Sequence, residues 1–169
     1  VEFVNSIDVI NPDDWQSLNS SACPFLHYDF FNALEKSQSA SVEKGWQPHH
    51  LKASINDEPI ALMPMYLKAH SWGEYVFDWD WAEAFKHHGI PYYPKLVATI
   101  PFTPVSSNKL LAKQLNKQVN KQDNTQENEQ LSISHFFDPL ITHCEQQGFS
   151  SWHILYCEPI TTPFPEDVY

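Results

Sequence analysis

Apolar and polar positions along this 169-residue chain mark out its elements before any chemistry is considered. Asn11-Pro12-Asp13-Asp14 reads as a helix start, with an Asn cap, Pro at the first helical position and acids in the positive first turn. Tyr28 to Ser37 predicts a second helix whose buried stripe is Phe30, Phe31 and Leu34. Leu51, Ala53 and Ile55 then alternate with polar residues at the strand period, Asn56-Asp57 makes a turn, and Ile60 to Lys68 continues as the partner strand. Pro64 lies inside that second strand and marks an edge or a bulge.

From Trp72 to Trp81 the chain is unusually aromatic. If extended, it sets Tyr75, Phe77 and Trp79 on one face and Glu74, Val76 and Asp78 on the other. Asp80-Trp81-Ala82-Glu83 resembles a capping box, Trp81, Ala84, Phe85 and His88 follow helical spacing, and Gly89 then Pro91 stop the helix. Leu96 to Ile100 is a short β-leaning run. Residues 112–130 carry Gln, Asn and Lys with almost no apolar residues. Such a segment cannot offset an ordering entropy of about 1–2 kcal/mol per residue, and it reads as a disordered insertion. Asp138-Pro139 opens a helix reaching Gln147 and closed by Gly148, and Ser151 to Cys157 reads as a strand. The pattern predicts one mixed α/β (α+β) domain over residues 1–169, a largely antiparallel sheet flanked by helices.

Charge narrows the partners. All ten basic residues are lysines, against twenty-one acidic ones, for a net charge of −11. Phosphate neutralisation and base reading lean on Lys/Arg clusters, so an acidic chain without arginine argues against direct nucleic-acid binding and against anionic membranes. No apolar stretch approaches the roughly 18 residues of a membrane span, and the start Val1-Glu2-Phe3-Val4 has no signal-peptide pattern. The three cysteines, Cys23, Cys144 and Cys157, are widely spaced and form no CxxC pair, which fits a reduced, cytoplasmic setting. The first residue is not Met, as in a piece of a longer protein.

The aromatic and acidic stretch carries the candidate chemistry. Trp72, Tyr75, Trp79 and Trp81 suit stacking on a sugar ring or lining a groove, and equally suit a core. Asp78, Asp80 and Glu83 are candidates for a general base on an attacking amine, since an amine nucleophile must lose a proton; the plainer reading makes Asp80 a helix cap and the others solvated. Glu74 shares their charge. Lys68, His70 and Lys95 flank the stretch and suit holding a phosphate or carboxylate, although lysines are ordinarily solvated. Tyr92 and Tyr93 fit a groove wall or simple packing, and Thr103 either donates to a ligand or caps a turn. His49 and His50 point to opposite faces if extended, and no HExxH or clustered Cys/His spacing occurs, so no metal site is expected. Cys144 and Cys157 read as buried structural thiols.

Three stretches resemble a known family. They are Pro24-Phe25-Leu26 with the helix ending Ala33-Leu34-Glu35; Tyr66-Leu67-Lys68-Ala69-His70-Ser71-Trp72-Gly73-Glu74-Tyr75-Val76-Phe77-Asp78-Trp79; and Tyr92-Tyr93-Pro94-Lys95-Leu96 with Ile100-Pro101-Phe102-Thr103-Pro104-Val105. Together they are similar to the bacterial peptidoglycan biosynthesis/recognition proteins. Those are related to the Fem-type peptidyltransferases of the GNAT-like acyl-CoA N-acyltransferase superfamily. The resemblance implies a GNAT-like fold and transfer of an acyl or aminoacyl group to an amine of a cell-envelope precursor. It also implies acyl-CoA or aminoacyl-tRNA as donor, and a second GNAT-like half following this one. A non-catalytic module binding glycan or peptide, or a structural partner domain, is the alternative on the same fold. No cofactor is identified: the four glycines are scattered, and the Gly-rich loop with which such enzymes cradle a pyrophosphate is not found. A fold incomplete after the last strand would leave an open sheet edge, from which self-association is expected.

Overall fold

A computed structural model describes residues 1–76, 78–116, 128–130 and 133–158. In chain order the elements are β1 (Glu2–Val4), α1 (Pro12–Leu18), α2 (Tyr28–Lys36), β2 (Trp46–Pro48), β3 (His50–Ile55), β4 (Glu58–Met63), β5 (Met65–Lys68), α3 (Trp79–His87), β6 (Lys95–Ala98), β7 (Leu111–Ala112), β8 (Gln114–Asn116), β9 (Asn128–Gln130), α4 (Phe137–Gln147) and β10 (Trp152–Ile154). The mixed α/β class holds, but the strands form two four-stranded sheets, ordered β1-β3-β4-β7 and β10-β6-β5-β2. All pairings in these sheets are antiparallel except β10 with β6.

Local chemistry explains several elements. Asn11 accepts from the Asp13 amide and Pro12 follows it, starting α1 as expected. Asn56 and Asp57 take φ of 50° and 65°, the pair of left-handed residues that a two-residue hairpin between β3 and β4 requires. Gly148, at φ 69°, ends α4; that helix begins one residue before Asp138, which lies in its first turn.

Pro64 does more than mark an edge. The strand predicted over Ile60 to Lys68 breaks there: β4 belongs to one sheet and β5 to the other, and the Pro64 carbonyl accepts from the Thr99 amide. Proline cannot donate to a ladder, so it sits where the chain leaves one sheet for the next. The expected last strand is also shorter, spanning Trp152–Ile154. The ends of the Gln/Asn-rich stretch pair as β8 and β9, so the predicted insertion is structured at its margins; residues 117–127 lie outside the described residues.

Two cores result. One gathers Leu51, Ala53, Ala61, Met63, Met65, Leu96 and Ala98 from both sheets under Phe137, Leu140 and Cys144 of α4. The other gathers Trp15, Leu18, Leu26 and Phe31 against Trp46, Leu62, Tyr66 and Leu111. Within it the Trp15 indole and the Asn19 amide both donate to the Leu26 carbonyl, at 2.8 and 2.9 Å. Glu35, buried on α2, accepts from the Ile7 amide and Ser6 hydroxyl and meets His50 Nε2 at 2.8 Å, tying three elements together. Of the stripe predicted for α2, Phe31 is buried while Phe30 and Leu34 are half-buried. No helix among the described residues is long and apolar enough to cross a membrane.

Candidate functional site

Trp72 to Asp78 is not extended. Trp72 and Gly73 form a turn, Gly73 takes φ 80° and Tyr75 φ 58°, and the chain then enters α3. A Cβ on Gly73 would lie 2.8 Å from the Phe102 ring, so the turn needs the glycine for space as well as for its backbone. The predicted two-faced strand is thereby corrected, because two left-handed residues abolish the period-2 alternation; Phe77 itself lies outside the described residues. The helix start moves as well. Asp78 occupies the cap position without a side-chain capping bond, and Asp80 sits in the first turn rather than capping.

The turn folds acids over the ends of β5 and β6. Lys68 and Lys95 are directly paired across these strands, and like charges so placed repel unless neutralised. Glu74 and Asp78 neutralise them. Lys95 Nζ donates to Glu74 Oε2 at 2.8 Å, Asp78 Oδ2 at 2.6 Å and Ser71 Oγ at 3.2 Å. Lys68 Nζ donates to the Trp72 carbonyl at 3.2 Å, stands 4.0 Å from Glu74 Oε1 and lies 3.5 Å above the Trp46 ring. The Tyr92 hydroxyl donates to Asp78 Oδ2 at 2.8 Å, and the Tyr93 hydroxyl shares a 2.6 Å hydrogen bond with Ser71. Both lysines are buried, 0% and 2% exposed. They are therefore neither solvated nor open to a foreign anion, which corrects both expectations for them.

The pKa shifts follow from this packing. Burial pulls Lys95 down, but its bonds to Asp78 and Glu74 outweigh that and hold its ammonium above the usual lysine range. Burial raises Asp78, and the Lys95, Ser71 and Tyr92 hydrogen bonds reverse the direction, leaving it below the ordinary carboxylate range. Glu74 goes the other way: burial raises it despite Lys95. Lys68 is lowered by burial, with Glu74 opposing. Glu74 Oε1 and Asp78 Oδ1 are buried and make no hydrogen bond among the described residues.

Above these charges the surface is aromatic. Trp72, Tyr75, Trp79 and Trp81 are 74%, 57%, 60% and 66% exposed. The helix carrying Trp79 and Trp81 buries no residue, so the core reading of these rings is corrected. A groove of about 1010 Å³ runs along α3, lined by Glu83, Lys86, Ile90, Tyr92 and Tyr93 among others but by none of these four rings.

A family model described as peptidoglycan biosynthesis/recognition, FemAB-like, matches residues 6–166. The chain belongs to the FemAB-like family. No curated protein and no solved structure matches it. The family places the chain in a cell-wall-related role.

In this FemAB-like chain, the residues singled out from the sequence divide in two. Lys68, Glu74, Asp78, Tyr92, Tyr93 and Lys95 come together. Asp80 and Glu83 do not join them: both are exposed on α3, and Glu83 pairs with His87 at 3.7 Å. Thr103 donates to the Pro101 carbonyl at 3.1 Å, a turn cap. His70 accepts from the Trp72 amide at 3.2 Å and packs beside Gly45. Sequence reasoning passed over Ser71, and it also missed the hydroxyl-imidazole contact of Ser151 with His153, whose S-x-H spacing on a strand was the available signal. His49 and His50 diverge, one toward His143 and the other toward Glu35, and no group of three or more His, Cys, Asp or Glu among the described residues is placed to hold a metal. Cys144 is buried and its thiol is pushed up to about 11 by burial; Cys157 is exposed, contrary to the expectation of a buried thiol.

Proposed function

We propose that this chain provides the acceptor side of a Fem-type N-acyltransferase with a GNAT-like fold, binding a peptidoglycan precursor through a primary amine that receives an acyl or aminoacyl group. The observation that carries this reading is the exposed aromatic surface of Trp72, Tyr75, Trp79 and Trp81 over two buried carboxylates, Glu74 and Asp78, each with one oxygen that makes no hydrogen bond among the described residues. Aromatic faces suit the sugar or peptide that carries the amine, and the negative charge of the carboxylates beneath draws an ammonium toward that surface. Burial lifts Glu74, which fits it to receive, by relay, the proton that the ammonium loses before it attacks, whereas Asp78, held ionised by Lys95, orients. The donor, acyl-CoA or aminoacyl-tRNA, belongs to the same reading.

The test is a calorimetric titration with a stem peptide bearing a free side-chain amine, alongside its N-acetylated twin. The free amine should bind at least about tenfold more tightly, about 1.4 kcal/mol, a gap that Glu74→Gln narrows by removing a buried negative charge. Equal binding of both peptides, or of neither, overturns the proposal. A second reading, a recognition module without chemistry, is favoured by the full burial of Glu74 and Asp78; it expects tight binding of both peptides, lost on Trp72→Ala or Trp79→Ala.

A further inference from the structure

Strand β10 pairs in parallel with β6, Trp152 opposite Leu96 and His153 opposite Val97. Leu96, Ala98, Trp152 and Ile154 all face the core beneath α4. Strand alternation therefore puts Ser151 and His153 on the opposite face, in the row that continues from Lys68 and Lys95. There the Ser151 hydroxyl lies 2.8 Å from His153 Nε2. With the imidazole proton on Nδ1, Nε2 accepts from the hydroxyl, which is the arrangement that activates a serine for attack.

Access distinguishes this pair from the sealed carboxylates. Among the described residues β10 has a neighbour on one side only, and Ser151 and His153 are each half-buried. The adjoining Ser150 hydroxyl donates to the Tyr92 carbonyl at 2.6 Å, so the pair begins next to the wall of the groove beside α3. Lys95 and Asp78 both act electrostatically on the imidazole, and burial holds His153 below the ordinary histidine range, neutral and ready to take a proton at pH 7.

We propose that Ser151 and His153 form a nucleophile–base pair that takes an acyl group from an activated ester or thioester. Ser151 Oγ attacks the acyl carbon, the Oγ–C bond forms and the bond to the leaving oxygen or sulfur breaks. The hydroxyl proton passes to His153 Nε2 and on to the leaving group. A primary amine then attacks the acyl-serine, its N–C bond forms as C–Oγ breaks, and the amine proton returns through His153 to Ser151. This second step rests on the amine-acceptor reading above; the first does not.

The probe is p-nitrophenyl acetate with the purified chain, followed by intact-mass analysis and peptide mapping. One acetyl group should settle on Ser151 with a burst of p-nitrophenolate. Ser151→Ala should abolish the burst, and His153→Asn should slow acylation by about 10²–10⁴-fold and remove its dependence on a group titrating below the usual histidine range. Ser151→Cys, a near-isosteric nucleophile, should restore a trapped acyl group and so guards against loss of structure in the alanine variant. Acetylation spread over lysines equally in wild type and Ser151→Ala, or no burst in either, overturns the proposal. The stem-peptide titration is independent of that result. Selective amine binding without a burst removes the serine nucleophile alone, whereas a burst without amine selectivity leaves the pair standing and removes the acceptor reading.

Discussion

Histidine 49 shows how far a single ionisable side chain can move the stability of this protein. Its Nδ1 meets Asn5 Oδ1 at 2.8 Å and its Nε2 meets His143 Nε2 at 2.7 Å, while Phe3 stacks on both rings. One of the two facing nitrogens must be unprotonated for the histidines to bond. Burial, then His143 and His50, pull His49 from 6.5 down to about 4. The unfolded chain thus binds a proton that the folded chain refuses, so stability is fully present above pH 6.5 and is lost as pH falls from there toward 4. At about 1.4 kcal/mol per pKa unit the fall from 6.5 to about 4 is worth at most about 3.5 kcal/mol across that window, and less where solvent screens the ring. Urea midpoints measured at intervals from pH 7.5 to 4 should fall for the wild type and flatten in His49→Gln. Parallel curves for the two would assign the acid sensitivity elsewhere. The left-handed Tyr75 raises a different question at the same scale: a bulky residue at φ 58° is costly, yet its ring is largely exposed. Strain kept for an exposed ring is consistent with the ring serving recognition.

Among the helices, α3 stands apart because it buries no residue, whereas α4 buries Phe137, Leu140 and Cys144. Its attachments include the Tyr92 hydroxyl bond to Asp78 at its start and the Phe85 ring against Tyr92 at 5.2 Å. Hydrogen exchange read by mass spectrometry should therefore show peptides from 80–88 exchanging far faster than those from 138–147. Equal protection would mean that α3 packs against something further, and the exposed tryptophans would lose their standing as a binding surface. The same contrast explains what could be read in advance. The cap at Asn11, the turn at Asn56-Asp57 and the stop at Gly148 depend on neighbours in sequence, so they were legible. The stretch from Trp72 to Asp78 was not, because alternating aromatics and acids satisfy a strand pattern equally well, and only the backbone at Gly73 and Tyr75 decides. Burial of Lys68 and Lys95 depends on cross-strand register and on acids delivered by a loop. Residue type therefore singled out side chains that come together in space, but gave them the wrong environment. Ser151 and His153 obey the period-2 rule, which puts them on one face without deciding that their side chains meet.

For the whole molecule the decisive feature is that the chain passes from β4 in one sheet, through Pro64 alone, to β5 in the other. Leu62 and Tyr66 contribute to the core beneath α1 and α2, while Met63 and Met65 contribute to the core beneath α4. Neither core can lose its strand without exposing the other, so the two should unfold as one unit. Phe31→Ala in the first core should cost about 3–5 kcal/mol and Leu140→Ala in the second about 2–5 kcal/mol. The side chains lie in separate clusters, so the double variant should lose close to the sum. Tryptophan supplies a reporter on each side: Trp15 and Trp46 lie in one core, and Trp152 packs against the other. Replacing Trp72, Trp79 and Trp81, which are exposed, with phenylalanine leaves those reporters readable. In that background each single variant should shift the fluorescence and far-UV dichroism midpoints together. Separate midpoints, with Phe31→Ala moving only the reporters beside α1 and Leu140→Ala only Trp152, would show that Pro64 divides the molecule into two independently unfolding sheets. Placement of the charged cluster on β5 and β6 would then depend on one core alone.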